Sequence, residues 1–182
     1  MSKVIIFPTD TVYGIGSSVL DKEGISRIYE IKNRPLDKPL AVLCANLSQI
    51  EEIAYVTDDA KKLITKFMPG ALTLILKSKE NIIKTMGIQT VGVRIPAYDV
   101  ALEILEKIGP MATTSVNESG MPSINDYNEI INSYGKLVDE IYKPSSEKTS
   151  SLPSTVIDLT SDKLNVIRQG AITLEQITKI IK

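Results

Sequence analysis

The stretch Ile31-Lys32-Asn33-Arg34-Pro35-Leu36-Asp37-Lys38-Pro39-Leu40 sets three cations within seven positions and follows two of them with proline. Such a segment can hold an anion. Proline disfavours the α region for the residue before it, so Arg34 and Lys38 are expected to leave the preceding helix in extended geometry with their side chains outward. Residues two apart in an extended chain share a face, which would let Lys32 and Arg34 converge on one ligand. Lys32 taken alone fits equally well as a cation complementing a helix C-terminus.

Of 21 basic residues only four are arginines, Arg27, Arg34, Arg94 and Arg168. A planar fork of donors matches phosphate or carboxylate in a way an ammonium does not, so scarce arginines are candidates for anion recognition. Arg27, at helical spacing on a polar face, reads instead as solvated. Two neutral clusters accompany the cations. Pro8-Thr9-Asp10-Thr11-Val12-Tyr13-Gly14-Ile15-Gly16 follows an apolar run and reads as a site-forming loop or an ordinary turn. In Met111-Ala112-Thr113-Thr114-Ser115-Val116-Asn117, the polar residues Thr113, Ser115 and Asn117 alternate along one face if the chain is extended. They would form a hydrogen-bonding rail for phosphate oxygens or a base, although turns and caps use the same residues.

Composition removes several alternatives. The chain has 182 residues, 43% of them hydrophobic, enough for one domain with its own core. The formal net charge of −1 argues weakly against a module living by counterion release from nucleic acid, though a local basic groove is compatible with it. Histidine is absent, so imidazole catalysis and histidine metal sites are ruled out. The single Cys44 ends an apolar run and reads as a buried thiol, not a nucleophile. The apolar run at the N-terminus stops at Pro8, too short for a signal peptide or a membrane span, which points to the cytoplasm.

The elements that must position these residues alternate between strand and helix. Val4 to Phe7 reads as a buried strand. Asp21 can cap a helix carrying Ile25, Ile28 and Tyr29 inward and delivering Lys32. A strand over Leu40 to Leu43 follows, then helices capped by Asn46 and by Thr57 or Asp58, the second with Leu63, Ile64 and Phe67 on one face. Ala71 to Leu76 returns as a strand. Thr90 to Pro96 is β-type and places Thr90 and Arg94 on one face. A helix over about Val100 to Ile108 turns Leu102, Leu105 and Ile108 inward. Lys143 to Ser151 is too polar to pack and reads as a mobile loop that would close over the site. Strands over Leu152 to Asp158 and Asn165 to Gly170 precede a closing helix capped by Thr173, with Leu174, Ile177, Ile180 and Ile181 inward. The class is α/β with a twisted mixed sheet and flanking helices.

Six segments together carry a resemblance: Pro8-Thr9-Asp10-Thr11-Val12-Tyr13-Gly14, Lys32-x-Arg34-Pro35-x-x-Lys38-Pro39-Leu40, Val93-Arg94-Ile95-Pro96, Thr114-Ser115-Val116-Asn117-x-Ser119-Gly120, Pro153-Ser154-Thr155-Val156-Ile157-Asp158 and Ile167-Arg168-x-Gly170. In this order they resemble the YrdC/TsaC family, in its short form with one YrdC-like domain over 1–182 and no further C-terminal domain. The resemblance implies a large concave cleft and threonylcarbamoyl-AMP synthase activity, in which L-threonine, bicarbonate and ATP give threonylcarbamoyl-adenylate and pyrophosphate. It further implies a downstream TsaD-like enzyme that transfers the group to adenosine in tRNA, with at most weak contact between this chain and tRNA.

Carried over by position, the resemblance puts Lys32, Arg34, Ser115 and Asn117 at the reacting nucleotide. Lys38, Thr113, Ser123 and Arg168 are further ATP-side candidates, and Thr11, Thr90, Arg94 and Ser154 serve threonine. Relatives often have histidine where Leu43 stands, and glycines before Pro-Ser-Thr-Val where this chain has serines and charges. The reaction needs no protein nucleophile. No acidic cluster has metal-ligand spacing, so Mg²⁺ would be held mainly by the ATP phosphates and water. The competing reading is an RNA-binding module that uses the same cleft without ATP turnover.

Overall fold

The computed structural model describes residues 2–145, 152–161 and 164–181. Its strands are β1 (Ile5–Phe7), β2 (Gly14–Ser18), β3 (Ala41–Leu43), β4 (Leu72–Lys77), β5 (Thr90–Arg94), β6 (Met111–Ser115), β7 (Glu140–Ile141), β8 (Thr155–Asp158) and β9 (Asn165–Arg168). They join in one mixed sheet of order β7-β1-β2-β6-β3-β5-β4-β8-β9. The pairs β1 with β7, β3 with β5 and β4 with β8 are parallel, and the remaining neighbours are antiparallel.

The helices are α1 (Lys22–Ile31), α2 (Leu47–Ile53), α3 (Asp58–Phe67), α4 (Glu80–Met86), α5 (Asp99–Ile108), α6 (Tyr127–Tyr134) and α7 (Leu174–Thr178). Asp21, Asn46, Thr57 and Thr173 cap α1, α2, α3 and α7 through side-chain oxygens, and Thr173 with Gln176 completes a capping box. None of the described helices is long and apolar enough to cross a membrane.

The strand period of two divides the sheet cleanly. Ile15, Val42, Leu72, Leu74, Leu76, Val91, Val93, Ala112 and Ile157 enter one large apolar core, which also receives buried residues from α1, α2, α3, α4, α6 and α7. The alternating positions turn to the opposite face. There α5 covers one end, packing Ala101, Ile104 and Leu105 against Ile5, Phe7, Leu43 and Met111. The rest of that face is left concave.

Several expectations change. Ile108 is 40% exposed and Ile104 takes its inward place, because α5 begins at Asp99 and its buried stripe follows Ala101, Ile104 and Leu105. Leu174 is 41% exposed, since the short α7 turns only Ile177 fully inward. Arg27 is held and not simply solvated: it pairs with Asp139 at 2.9 Å and donates to the Leu137 carbonyl. Cys44 is fully buried, and burial pushes its thiol pKa far up. Of the loop expected over Lys143 to Ser151, residues 146–151 lie outside the described residues; Ser145 donates its backbone N–H to the Tyr98 hydroxyl at 3.0 Å.

Candidate active site

The concave face becomes a cavity of about 400 Å³. Thr90, Gly92 and Arg94 of β5 form its floor with Thr73 and Ile75 of β4, and Ala41 and Leu43 of β3, Thr113 and Ser115 of β6 and Val156 of β8 continue it. These are the alternating positions of strands whose other face is core, and Thr73, Thr90, Thr113 and Ser115 make this face partly hydroxylated while Ala41 and Gly92 leave room in it.

Room for β6 comes from the neighbouring strand. Gly14 and Gly16 flank Thr113, and a Cβ on either would lie 2.8 Å from Thr113 Cγ2 or 2.7 Å from Thr113 Oγ1 respectively. Thr113 donates to the Met111 carbonyl at 3.0 Å.

One pole of the cavity is built around Arg94. Only 7% exposed, it donates from Nε to the Gly70 carbonyl at 2.9 Å, from Nη1 to Thr11 Oγ1 at 2.9 Å and from Nη2 to Asp10 Oδ1 at 2.6 Å. Burial lowers the Arg94 pKa, while the Asp10 carboxylate favours the charged form. Ser154 lies beside this pole. Its hydroxyl is 2.8 Å from Thr73 Oγ1 and accepts from Arg168 Nη2 at 3.1 Å, and its carbonyl accepts from Arg168 Nε at 3.0 Å. Gly170 is required for this approach, because a Cβ there would stand 2.2 Å from the Pro153 carbonyl oxygen.

The other pole holds Arg34, Ser115 and Ser123 on the cavity wall. Arg34 is half-buried and braced by its own loop, donating from Nε to the Lys38 carbonyl at 2.8 Å and from Nη2 to the Pro39 carbonyl at 3.0 Å.

The extended exit expected after α1 does not form. Lys32 caps α1 in helical geometry and Asn33 takes a left-handed φ of 47°, so the chain turns sharply and Lys32 and Arg34 do not share a face. Lys32 points inward at 1% exposure. Its ammonium donates to the Ser115 carbonyl at 2.6 Å, the Asn117 carbonyl at 2.5 Å and Asn117 Oδ1 at 3.0 Å. Burial, then the Arg34 charge, lower its pKa to about 8.

Thr11, Arg34, Thr90, Arg94, Thr113, Ser115, Ser123, Ser154 and Arg168 are thus brought together around one cavity. Lys32 and Asn117 stand behind the wall, with Ser115 Oγ donating to Asn117 Oδ1 at 2.6 Å. Lys38 is exposed and not itself a lining residue, although Arg34 and Pro39 of the same loop are. Sequence reasoning passed over Asp10 and Thr73. For Thr73 the signal was available: it alternates with Leu72 and Leu74 in an apolar strand, where a lone hydroxyl marks the opposite face. Among the described residues no group of three or more Asp, Glu, His or Cys could hold a metal ion.

Comparison with known proteins follows the same outline. A family model for Sua5, YciO and YrdC proteins, described as telomere recombination, matches residues 1–170. A threonylcarbamoyl-AMP synthase of Pyrococcus abyssi is 39% identical over 98% of this chain and 54% of its own length. One from Bacillus subtilis is 36% identical over 99% of this chain and 53% of its own. The chain therefore spans about half the length of these two relatives.

Among solved structures, Pyrococcus abyssi Sua5 in complex with L-threonine superposes with a TM-score of 0.90 at 37% identity, covering 98% of this chain and 54% of that one. Escherichia coli YciO superposes at 0.85 with 31% identity, covering 97% of this chain and 87% of its own. With the family model matched over residues 1–170 and relatives 36% and 39% identical along nearly all its length, the chain belongs to the Sua5/YciO/YrdC family.

Proposed function

We propose that the chain, acting as one domain over 1–182, is a threonylcarbamoyl-AMP synthase that works in the cytoplasm. The observation carrying this reading is the pairing of two anion-binding poles in one cavity, Arg94 with its hydroxyls at one and Arg34 at the other, with Arg168 near Ser154. Two anionic substrates must be held close together in this reaction: an amino acid and a nucleotide triphosphate. Threonine goes to the Arg94 pole, its carboxylate on the guanidinium and its hydroxyl among Thr11, Thr90 and Ser154. ATP goes to Arg34, Ser115, Thr113 and Ser123, with Arg168 adding charge.

The threonine amine adds to the carbon of CO₂ derived from bicarbonate, losing a proton to give a carbamate. A carbamate oxygen then attacks the α-phosphorus, and the bond to the β-phosphate oxygen breaks to release pyrophosphate. Alignment and charge neutralisation carry such a transfer, so the absence of histidine costs nothing. Mg²⁺ would arrive with the ATP phosphates. Lys32 and Asn117 serve the nucleotide through Ser115 and the turn that follows it. Lys38 contributes, at most, charge at the mouth.

The product is a mixed anhydride. A TsaD-like enzyme that delivers the carbamoyl carbon to adenosine in tRNA is the expected consumer. The family relation favours the synthase over an RNA-binding module lacking turnover. Pyrophosphate release from ATP, measured with L-threonine and bicarbonate omitted in turn, tests the proposal. Release should require both, and release indifferent to either omission would sink it.

A further inference from the structure

We propose that Asp10 is the positioning residue for Arg94, fixing the plane of its guanidinium so that one donor fork meets a substrate carboxylate from a constant direction. This rests on the reading of Arg94 as the partner of the threonine carboxylate.

Asp10 lies in the loop between β1 and β2, yet it bonds to the end of β5, and β6 and β3 lie between those strands in the sheet. The loop must therefore reach along the strand ends to make this contact. It is braced for that reach. Thr9 Oγ1 donates to the Val12 carbonyl at 2.6 Å, accepts from the Thr11 N–H at 3.2 Å and sits 3.2 Å from Thr11 Oγ1. Thr9 and Thr11 both line the cavity, while Asp10 between them is not among the lining residues and stands beside the guanidinium instead.

Three acceptors on three different nitrogens leave the guanidinium one orientation. Two of them are neutral. Asp10 supplies the counter-charge for a cation whose side chain is only 8% exposed and that also feels the positive Arg168 nearby.

Charge and geometry make opposite demands here. Removing the Asp10 carboxylate raises the positive potential at Arg94, which by charge alone would tighten binding of a carboxylate. Removing its bond leaves Nη2 unanchored and only the Gly70 and Thr11 bonds to hold the plane, which loosens the paired geometry that distinguishes an arginine from a lysine. Asp10 makes the one charge-assisted bond of the three, so its removal takes away the strongest restraint on the guanidinium plane, and this loss is expected to outweigh the gain in positive potential.

The test is steady-state kinetics of Asp10→Ala and Asp10→Asn with threonine and ATP varied separately, alongside thermal melts and Arg94→Lys as a reference. Asp10→Ala should raise the threonine KM roughly tenfold, leave the ATP KM within about twofold and leave kcat at saturating threonine within about threefold. Asp10→Asn, which keeps an oxygen for Nη2, should raise the threonine KM only about threefold. A threonine KM that is unchanged or lower in Asp10→Ala would overturn the proposal, and so would a parallel loss in both KM values and kcat. If Asp10→Ala does not fold, Asp10→Asn decides by the same signs. Should Arg94→Lys itself leave the threonine KM untouched, the carboxylate reading fails, and that failure is separate from Asp10.

Discussion

The Lys32 ammonium has three N–H groups and meets three oxygens, so it holds the end of β6 and the following turn from inside. Its backbone carbonyl accepts from the Ser119 N–H at 3.1 Å and ties the same turn from the other side. Because burial lowers the folded pKa to about 8 from an ordinary 10.5, the folded state binds fewer protons than the unfolded state between those values. Unfolding free energy must then rise with pH across that window, as the penalty of burying the charge is relieved. Denaturant titrations of the wild type and Lys32→Met from pH 7 to 11 should show this slope in their difference; parallel curves would mean that burial leaves the Lys32 pKa where it is in the unfolded chain. Arg34 and Arg94 act differently, since both face the cavity. Arg34→Ala should cost roughly 2 to 4 kcal/mol in kcat/KM for ATP, the scale for losing a charged donor at a transition state. Folding should survive, because Arg34 is half-buried and its bonds are to its own loop. Arg94→Lys should raise the threonine KM by about tenfold to a hundredfold, or about 1.4 to 2.8 kcal/mol, with a much smaller change for ATP.

At the scale of elements, β2 and β6 show how a strand of poor propensity is stabilised by its neighbour. Gly14-Ile15-Gly16-Ser17-Ser18 has one strongly β-forming residue, but its glycines admit the Thr113 side chain across the ladder. Gly14→Ala should destabilise by about 1 to 3 kcal/mol through overpacking. Thr113→Ser removes the Cγ2 that the new methyl would strike at 2.8 Å and should return most of that loss, a coupling that a double-mutant cycle of melts would detect. Additive losses would show that β2 moves aside instead. The same pair explains what was legible in the sequence. Caps at Asp21, Asn46, Thr57 and Thr173 and the alternation of Thr90 with Arg94 were readable, because each is a local rule. β2 was read as loop because its glycines answer to a strand about a hundred residues later, at the separation of Gly16 from Thr113. The short helix α4 buries only Ile82 and has no side-chain cap, so it leaves little pattern to find. α6 did offer one, Asp126 accepting from the Glu129 N–H, but no element was expected there. The inward turn of Lys32 was hidden for a different reason. It depends on a left-handed Asn33, a conformation that asparagine tolerates but does not announce.

The whole molecule places one cavity across strands from both halves of the sheet, with β2, β6 and β3 on one side and β5, β4 and β8 on the other. A ligand bridging the two poles therefore couples β5 to β6, which share no direct ladder. Binding to the folded state alone stabilises by mass action, about 2.7 kcal/mol at a hundred times Kd. For a chain of 182 residues this corresponds to a rise in Tm of roughly 5 to 10 °C. L-Threonine at that concentration should give such a shift in the wild type, and Arg94→Lys should lose about half of it for a tenfold rise in Kd and most of it for a hundredfold rise at the same threonine concentration. RNA should behave otherwise. With 21 basic residues set against 22 acidic ones and a formal net charge of −1, the surface has no basic excess to drive counterion release from RNA phosphates. Structured RNA at physiological salt should leave Tm unchanged. If threonine gave no shift while RNA gave one that fell steeply with salt, the cavity would have to be reassigned to nucleic acid.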